Sequence, residues 1–200
     1  MIRIAGIAAS PRKNKNTEFF LKKALETIEK SNQKIKTDFF TLSEKRFSGC
    51  ISCEFCRSHF SCSQKDDLFP ILEALKDDNI KGILVASPVY MGGMTSQAKA
   101  FFDRSVLFRR NGFHFKDKIA GAIAVGGSRN GGQELTLQNI HAAFMIHDMI
   151  VLQDNSPTAH FGGAVWERVP NGPENDKVSL DTVLNLGKKM VDIAEKLYLS

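Results

Sequence analysis

The chain has 200 residues, 42% hydrophobic and 24% charged, the make-up of one globular domain with enough apolar surface to bury a core. No apolar run approaches the roughly 18–20 residues of a membrane span, and no internal repeat or low-complexity tract is present, so membrane and fibrous classes are excluded. The formal charge of +5 falls on basic residues scattered along the chain with no nucleic-acid module among them, so no nucleic-acid partner is expected. In chain order, the apolar run IRIAGIAA (residues 2–9) predicts a strand buried on both faces. A polar stretch (10–16) follows, and then Phe20, Leu21, Ala24, Leu25 and Ile28 recur at helical spacing. Residues 35–42 predict a second strand, and residues 43–65 form a cysteine-rich loop. Leu68, Ile71, Leu72 and Leu75 mark a helix, and IKGILVA (80–86) is a third strand ending at Ser87-Pro88. A helix is expected over 98–107, a fourth buried strand over 119–125, a helix over 135–147 and a short fifth strand over 149–152. Residues 157–176, rich in Gly and Pro, read as irregular, and an amphipathic helix over 178–197 closes the chain.

Strands alternating with helices imply an α/β fold, a parallel sheet covered on both faces. Five strands suggest a single doubly wound, flavodoxin-like domain over residues 1–200, in the order 2-1-3-4-5, with the cysteine loop inserted after strand 2. Ligands of such sheets sit outside the carboxyl ends of the strands. That rule singles out the segments after strands 1, 3 and 4.

All the cysteines fall in one window, Cys50-x2-Cys53-x2-Cys56-x5-Cys62. Clustered thiolates at this spacing are the ligand set of an iron–sulfur cluster, close to the ferredoxin run C-x2-C-x2-C-x3-C. A [4Fe–4S] centre is preferred over [2Fe–2S], because the plant-type C-x4-C step is missing. A zinc site remains the alternative, although structural zinc usually takes two CxxC pairs about 15–20 residues apart and no second pair exists here. Disulfides are the third reading. The opening Met1-Ile2-Arg3-Ile4 carries no secretory signal, so reduced thiols and a cytoplasmic location are expected. Of the five histidines only His59 lies in the loop, and it is read as solvated rather than as a ligand.

The first of the three loops runs from Ser10 through Pro11, Arg12, Lys13, Asn14, Lys15 and Asn16 to Thr17. Hydroxyls, amides and free backbone N–H groups at a helix start bind phosphate, although a polar loop with an N-cap has the same composition. The second holds Ser87, Pro88, Val89, Tyr90, Met91, Gly92, Gly93, Met94 and Thr95. Its glycines let backbone approach a ligand closely, and Tyr90 and Met94 either face a flat ring or fill core. The third, Gly126-Gly127-Ser128-Arg129-Asn130-Gly131-Gly132-Gln133-Glu134, is either a ring contact or a mobile surface loop.

The segments SPRKNKNT, SPVYMGGMTSQAKAFFDR and GGSRNGGQELT resemble the FMN-contacting loops of the NADPH-dependent FMN reductase-like flavoproteins. With Cys50, Cys53, Cys56 and Cys62 added, the chain resembles the iron–sulfur flavoproteins of archaea and anaerobic bacteria, and HFGGAVWERVP resembles their tail segment. One departure is Lys15, where many relatives carry glycine. The resemblance implies one FMN and one [4Fe–4S] cluster per subunit, in a homodimer or homotetramer that sets one subunit's cluster near another's flavin. It implies that Ser10, Arg12, Asn14, Asn16 and Thr17 hold the phosphate and ribityl chain. Pro88, Val89, Tyr90, Met91, Gly92 and Gly93 would line the isoalloxazine, and Gly126, Gly127, Ser128 and Arg129 would meet its other edge.

Such a pair of cofactors lets a one-electron donor, a ferredoxin-like protein, drive reduction of a small acceptor such as O2 or H2O2, with no acid–base dyad required of the protein. Arg46, Arg57 and Lys65 flank the cysteines, as steering charges or as ordinary surface. Much of the +5 can serve as counter-charge for bound anions. The alternative is an NAD(P)H-dependent FMN or quinone reductase with structural or zinc-bound cysteines, and a redox sensor acting on a protein partner is a third reading.

Overall fold

Along the central strands, successive apolar residues point to opposite faces, and each face meets its own set of helices. The computed structural model describes residues 1–170, 172 and 175–199. Strands β1 (Ile2–Ala8), β2 (Ile35–Thr41), β3 (Ile80–Pro88), β4 (Ile119–Gly126) and β5 (Ile150–Val151) lie in the order β2-β1-β3-β4-β5, every neighbour parallel. On one face Ile83 and Val85 of β3 join Phe101, Phe108, Ile140 and Phe144. These come from α3 (Ser96–Arg104), α4 (Val106–Arg110) and α5 (Gln133–Ile146), with α2 (Phe69–Ala74) beside them. On the other, Leu84 and Ala86 join Phe20 and Leu21 of α1 (Asn16–Ser31) and Leu186 and Met190 of α6 (Lys177–Ala194). Each fully buried Phe, Ile or Leu contributes about 1.5–3 kcal/mol, so the two-faced strands bind both layers. The α1–α6 contact is close enough that a Cβ at Gly187 would lie 3.0 Å from the Ala24 carbonyl oxygen. No helix among the described residues is long and apolar enough to cross a membrane.

The expected strand order, helices and cysteine loop are all present. Two differences have physical causes. The helix expected over 98–107 breaks at Ser105, where α3 gives way to α4. The Ser105 hydroxyl bonds the Phe102 carbonyl at 2.7 Å and shares a hydrogen with His147 Nε2 at 2.7 Å. A hydroxyl that competes for helix carbonyls bends or ends a helix.

The stretch 157–176, expected to be irregular, contains a further strand, β6 (Gly163–Trp166), which pairs parallel with β4. β5 pairs with Ile119 and Ala120 at the start of β4, and β6 with Ile123 to Gly126 at its end. The fifth place in the sheet is therefore one strand in two pieces, with an excursion between them. Asp154, buried in that excursion, accepts from the backbone N–H groups of His160 (2.6 Å) and Gly162 (3.2 Å) and from the Thr158 hydroxyl. Pieces of two and four residues are too short to show an alternating pattern. Residues 171, 173 and 174 of that stretch lie outside the described residues.

His147 is buried, and its Nδ1 has no partner. Burial, with Arg109 nearby, lowers its pKa from 6.5 to about 4. The unfolded chain then binds the proton that the folded chain refuses, so stability falls as pH drops from 6.5 toward 4. Between pH 6.5 and 5 this one group is expected to remove about 1.5 kcal/mol. Denaturant titrations at both pH values check it, and His147→Gln is expected to abolish that share of the loss.

Candidate functional site

The carboxyl ends of β1, β3 and β4 carry the three loops, and specific hydrogen bonds draw them together. The buried Thr95 hydroxyl donates to the Ala9 carbonyl at 2.6 Å and accepts from Ala98 N–H at 3.1 Å, joining the end of β1 to the start of α3. Thr95 N–H in turn donates to Ser87 Oγ at 3.1 Å. Val89 N–H donates to Val125 O at 2.9 Å, tying the second loop to the third. The chain opens α5 at Gly132 with φ +98°, where a Cβ would stand 3.4 Å from Val89 and 3.5 Å from Gly92. Glycine is needed there for its positive φ.

In the first loop Ser10 is buried and its hydroxyl accepts from Arg12 N–H at 3.1 Å. Asn14 takes the left-handed conformation at φ +52°, and Lys15 is extended at φ −113°, so the chain turns at 14 and needs no glycine at 15. Thr17 is buried in the first turn of α1 beside Glu18. The Glu18 carboxylate accepts from Asn14 N–H (3.1 Å), Thr41 (2.6 Å) and Ser43 (3.3 Å), which fixes the loop to the end of β2. Arg12 and Asn16 both donate to one oxygen of Glu167, at 3.1 and 3.3 Å. They already grip an oxyanion at a helix N-terminus, the chemistry a phosphate monoester requires. Arg168 adds a second guanidinium, 3.5 Å from where a Cβ of Gly127 would stand.

In the second loop Pro88 ends β3, and Tyr90 and Gly93 close a tight turn through bonds of 2.9 and 3.1 Å. Met91 (φ +48°) at its tip is fully exposed beside Gly92. In the third loop Gly126 ends β4, and Gln133 Nε2 donates to the Ser128 carbonyl at 2.6 Å and the Val165 carbonyl at 3.2 Å. Gln133 Oε1 accepts from Gly131 N–H at 2.9 Å. Arg129 is drawn outward. It pairs with Asp176 at 3.3 Å and lies 4.6 Å from the centre of the Trp166 ring. Glycine backbone and apolar side chains at this edge fit a flat ring system, and the first loop fits its phosphate.

Cys50, Cys53, Cys56 and Cys62 line one cavity together with Arg104 and Arg110, and none is disulfide-bonded. Ser52 and Glu54, either side of Cys53, have φ of +54° and +61°, which curls the loop around the cavity. Cys50 Sγ accepts from Ser52 N–H at 3.4 Å, and Cys53 Sγ lies 3.0 Å from the Ser63 hydroxyl. Cys56 Sγ accepts from Arg110 at 3.3 Å, and Cys62 Sγ from Arg104 at 3.4 Å. Each sulfur thus has its own polar neighbour, and at Cys50, Cys56 and Cys62 that neighbour is a donor. At Cys53 the Ser63 hydroxyl, then the Phe55 backbone N–H, hold the thiol below its usual range. Four such sulfurs match the donor set of an iron–sulfur cluster.

The neighbours of the loop are sorted as well. Phe47 and Phe60 pack against the core, while Phe55 stacks on His59 with centroids 4.1 Å apart. His59 Nδ1 faces Ser58 and the Phe55 carbonyl. Arg57 pairs with Glu54, and Lys65 sits 3.6 Å over the Phe69 ring. The cations that reach the sulfurs are Arg104 and Arg110, which sequence reasoning passed over together with Gln133, Glu167 and Arg168. Arg104, Gln133 and the Glu167–Arg168 pair lie in the quoted SPVYMGGMTSQAKAFFDR, GGSRNGGQELT and HFGGAVWERVP segments, so a signal existed for all but Arg110.

The model of the NADPH-dependent FMN reductase family matches residues 2–163. An iron–sulfur flavoprotein of Methanocaldococcus jannaschii is 42% identical over 194 residues, 97% of this chain and 98% of the relative. An iron–sulfur flavoprotein of Methanosarcina thermophila is 44% identical over 194 residues, 97% of this chain and 96% of the relative. Among solved structures, a WrbA-like flavodoxin from Agrobacterium tumefaciens has a TM-score of 0.65 over 98% of this chain and 99% of its own at 17% identity, a likeness of fold alone.

Gln133→Ala leaves two carbonyls and one N–H of the third loop without this partner. It is expected to cost about 1–3 kcal/mol and to weaken flavin retention, as read from thermal melts and flavin content after gel filtration.

Proposed function

The chain belongs to the NADPH-dependent FMN reductase family, among its iron–sulfur flavoproteins, and we propose that it is a flavin-dependent oxidoreductase moving electrons from a one-electron, ferredoxin-like donor to a small acceptor such as O2 or H2O2. Its two centres are a [4Fe–4S] cluster on Cys50, Cys53, Cys56 and Cys62 and an FMN in the three loops. The observation that carries this reading is the placement of a polar neighbour beside each of four sulfurs around one cavity, on a fold whose strand ends bring the three loops together. When bound, the two groups supply one-electron and two-electron chemistry to the same protein.

The protein's part is position and charge. Ser10, Arg12, Asn14, Asn16 and Thr17 hold the phosphate and ribityl end. Pro88 to Gly93 and Gly126 to Ser128 enclose the ring, with Gln133 setting the third loop and the Arg129 side chain turned away to Asp176 and Trp166. α3 joins the two centres. Thr95 caps it at the flavin edge and Arg104 ends it at the cysteine wall, about 12 Å along the axis from Ser96. The exposed Tyr90 and Met91 beside the ring loops support assembly into a homodimer or homotetramer that covers them.

A single zinc ion bound by thiolates needs sulfurs about 3.8 Å apart. The cysteine spacing favours the larger centre, since structural zinc usually takes two separate CxxC pairs and the cysteines here all fall within residues 50–62. The family match also favours an NAD(P)H-dependent reductase, which the same measurements separate.

Protein purified without oxygen is expected to hold about four iron and four sulfide per chain, as a [4Fe–4S] cluster requires, with one FMN. Cys53→Ala is expected to lose the iron and sulfide and keep the FMN, and full iron retention in that variant would remove Cys53 from the ligand set. Reduced ferredoxin is expected to bleach the flavin anaerobically far faster than NADPH does. FMN with zinc, bleached rapidly by NADPH, would make the reductase reading the right one.

A further inference from the structure

Arg104 ends α3, and its side chain is fully buried. A guanidinium stays charged when buried, so its donors need partners. Nη1 lies 2.6 Å from each Asp66 carboxylate oxygen. Nη2 donates to the Gln64 carbonyl at 2.9 Å and to Cys62 Sγ at 3.4 Å. Nε is buried without a partner, on a side chain that lines the cysteine cavity. The group therefore lies between a carboxylate and a sulfur, with one donor unused. Arg110 also reaches a sulfur, Cys56, but from a partly exposed position where water screens it.

We propose that Arg104 is the positioning residue that sets the reduction potential of the four-cysteine centre, by holding a fixed positive charge against Cys62. The inference rests on the reading of the cysteines as [4Fe–4S] ligands. Taking one electron from an external reductant carries a four-thiolate centre from about −2 to about −3, and no bond or proton need change. A fixed cation attracts the more negative form more strongly, so it favours reduction. The Asp66 carboxylate opposes this from the far side of the guanidinium, where it is 24% exposed and better screened. A residue that only fastened residues 64–66 to α3 would hold iron in place without moving the potential.

The test is an anaerobic dithionite titration followed by electron paramagnetic resonance on the holoprotein and on Arg104→Met, Arg104→Lys and Asp66→Asn, with iron, sulfide and flavin assayed on each. Arg104→Met is expected to shift the reduction equilibrium at least tenfold toward the oxidised form, ~59 mV for one electron. Asp66→Asn is expected to shift it the opposite way, and Arg104→Lys less than Arg104→Met. Wild-type potential in the variants that retain the centre would overturn the inference. So would a shift in the same direction for Arg104→Met and Asp66→Asn, or loss of iron from all three variants while the wild type keeps it. Wild-type protein free of iron and sulfide would instead overturn the cluster reading on which it rests.

Discussion

One buried hydroxyl has two obligations on which the site depends. Thr95 accepts the N-terminal hydrogen bond of α3 and donates to the last carbonyl beyond β1. A serine or threonine cap is worth about 0.5–2 kcal/mol to a helix. Here the same oxygen also fixes the spacing between the first and second loops, because both bonds lie in the dry interior where an unmade bond is expensive. The ring loops and the helix that leads to the cysteines thereby form one rigid unit. Cofactor sites need that rigidity, since a centre held loosely has no defined environment.

The charge balance follows from the same arrangement. The chain carries a net charge of +5, and several of its cations are committed to particular places. Arg12 and Arg168 stand at the loop that fits a phosphate, and Arg104 and Arg110 at the sulfurs. Arg57 and Lys65, which flank the cysteines in sequence, are occupied by Glu54 and by the Phe69 ring. The cations that reach the sulfurs therefore come from distant segments, because the loop curls its sulfurs inward toward α3 and α4 and leaves its own basic residues outside.

The strands and the ligand-bearing loops were legible because their signals are local. A strand buried on both faces is an unbroken apolar run, and glycine-rich or hydroxyl-rich turns follow such runs directly. The cysteine spacing is likewise contained in thirteen residues, 50–62. What stayed hidden depends on contacts between distant segments. Arg104 reads as the polar end of a helix, since its partners Asp66 and Cys62 are about forty residues away. Gln133 reads as an ordinary first-turn residue, although it braces both its own loop and Val165. The two pieces of the fifth strand become one place in the sheet only because β4 offers both of them an edge.

That divided strand also explains how the edge formed by the three loops acquires its outer wall. β6 delivers Trp166, Glu167 and Arg168 to the carboxyl end of β4, where Glu167 N–H bonds the Gly126 carbonyl at 2.9 Å. A continuous fifth strand would reach the same level, but its residues could not form the excursion that Asp154 ties down and Gly162 makes possible. Gly162, at φ +140°, passes so near the sheet that a Cβ would lie 2.7 Å from the Ala122 carbonyl. Only glycine permits that approach. The chain can therefore leave the sheet, turn, and re-enter beside the same neighbour in parallel register. The oxyanion-binding first loop meets its acidic partner across the edge because of this return, and the cysteine loop, built on the opposite end of α3, remains independent of it.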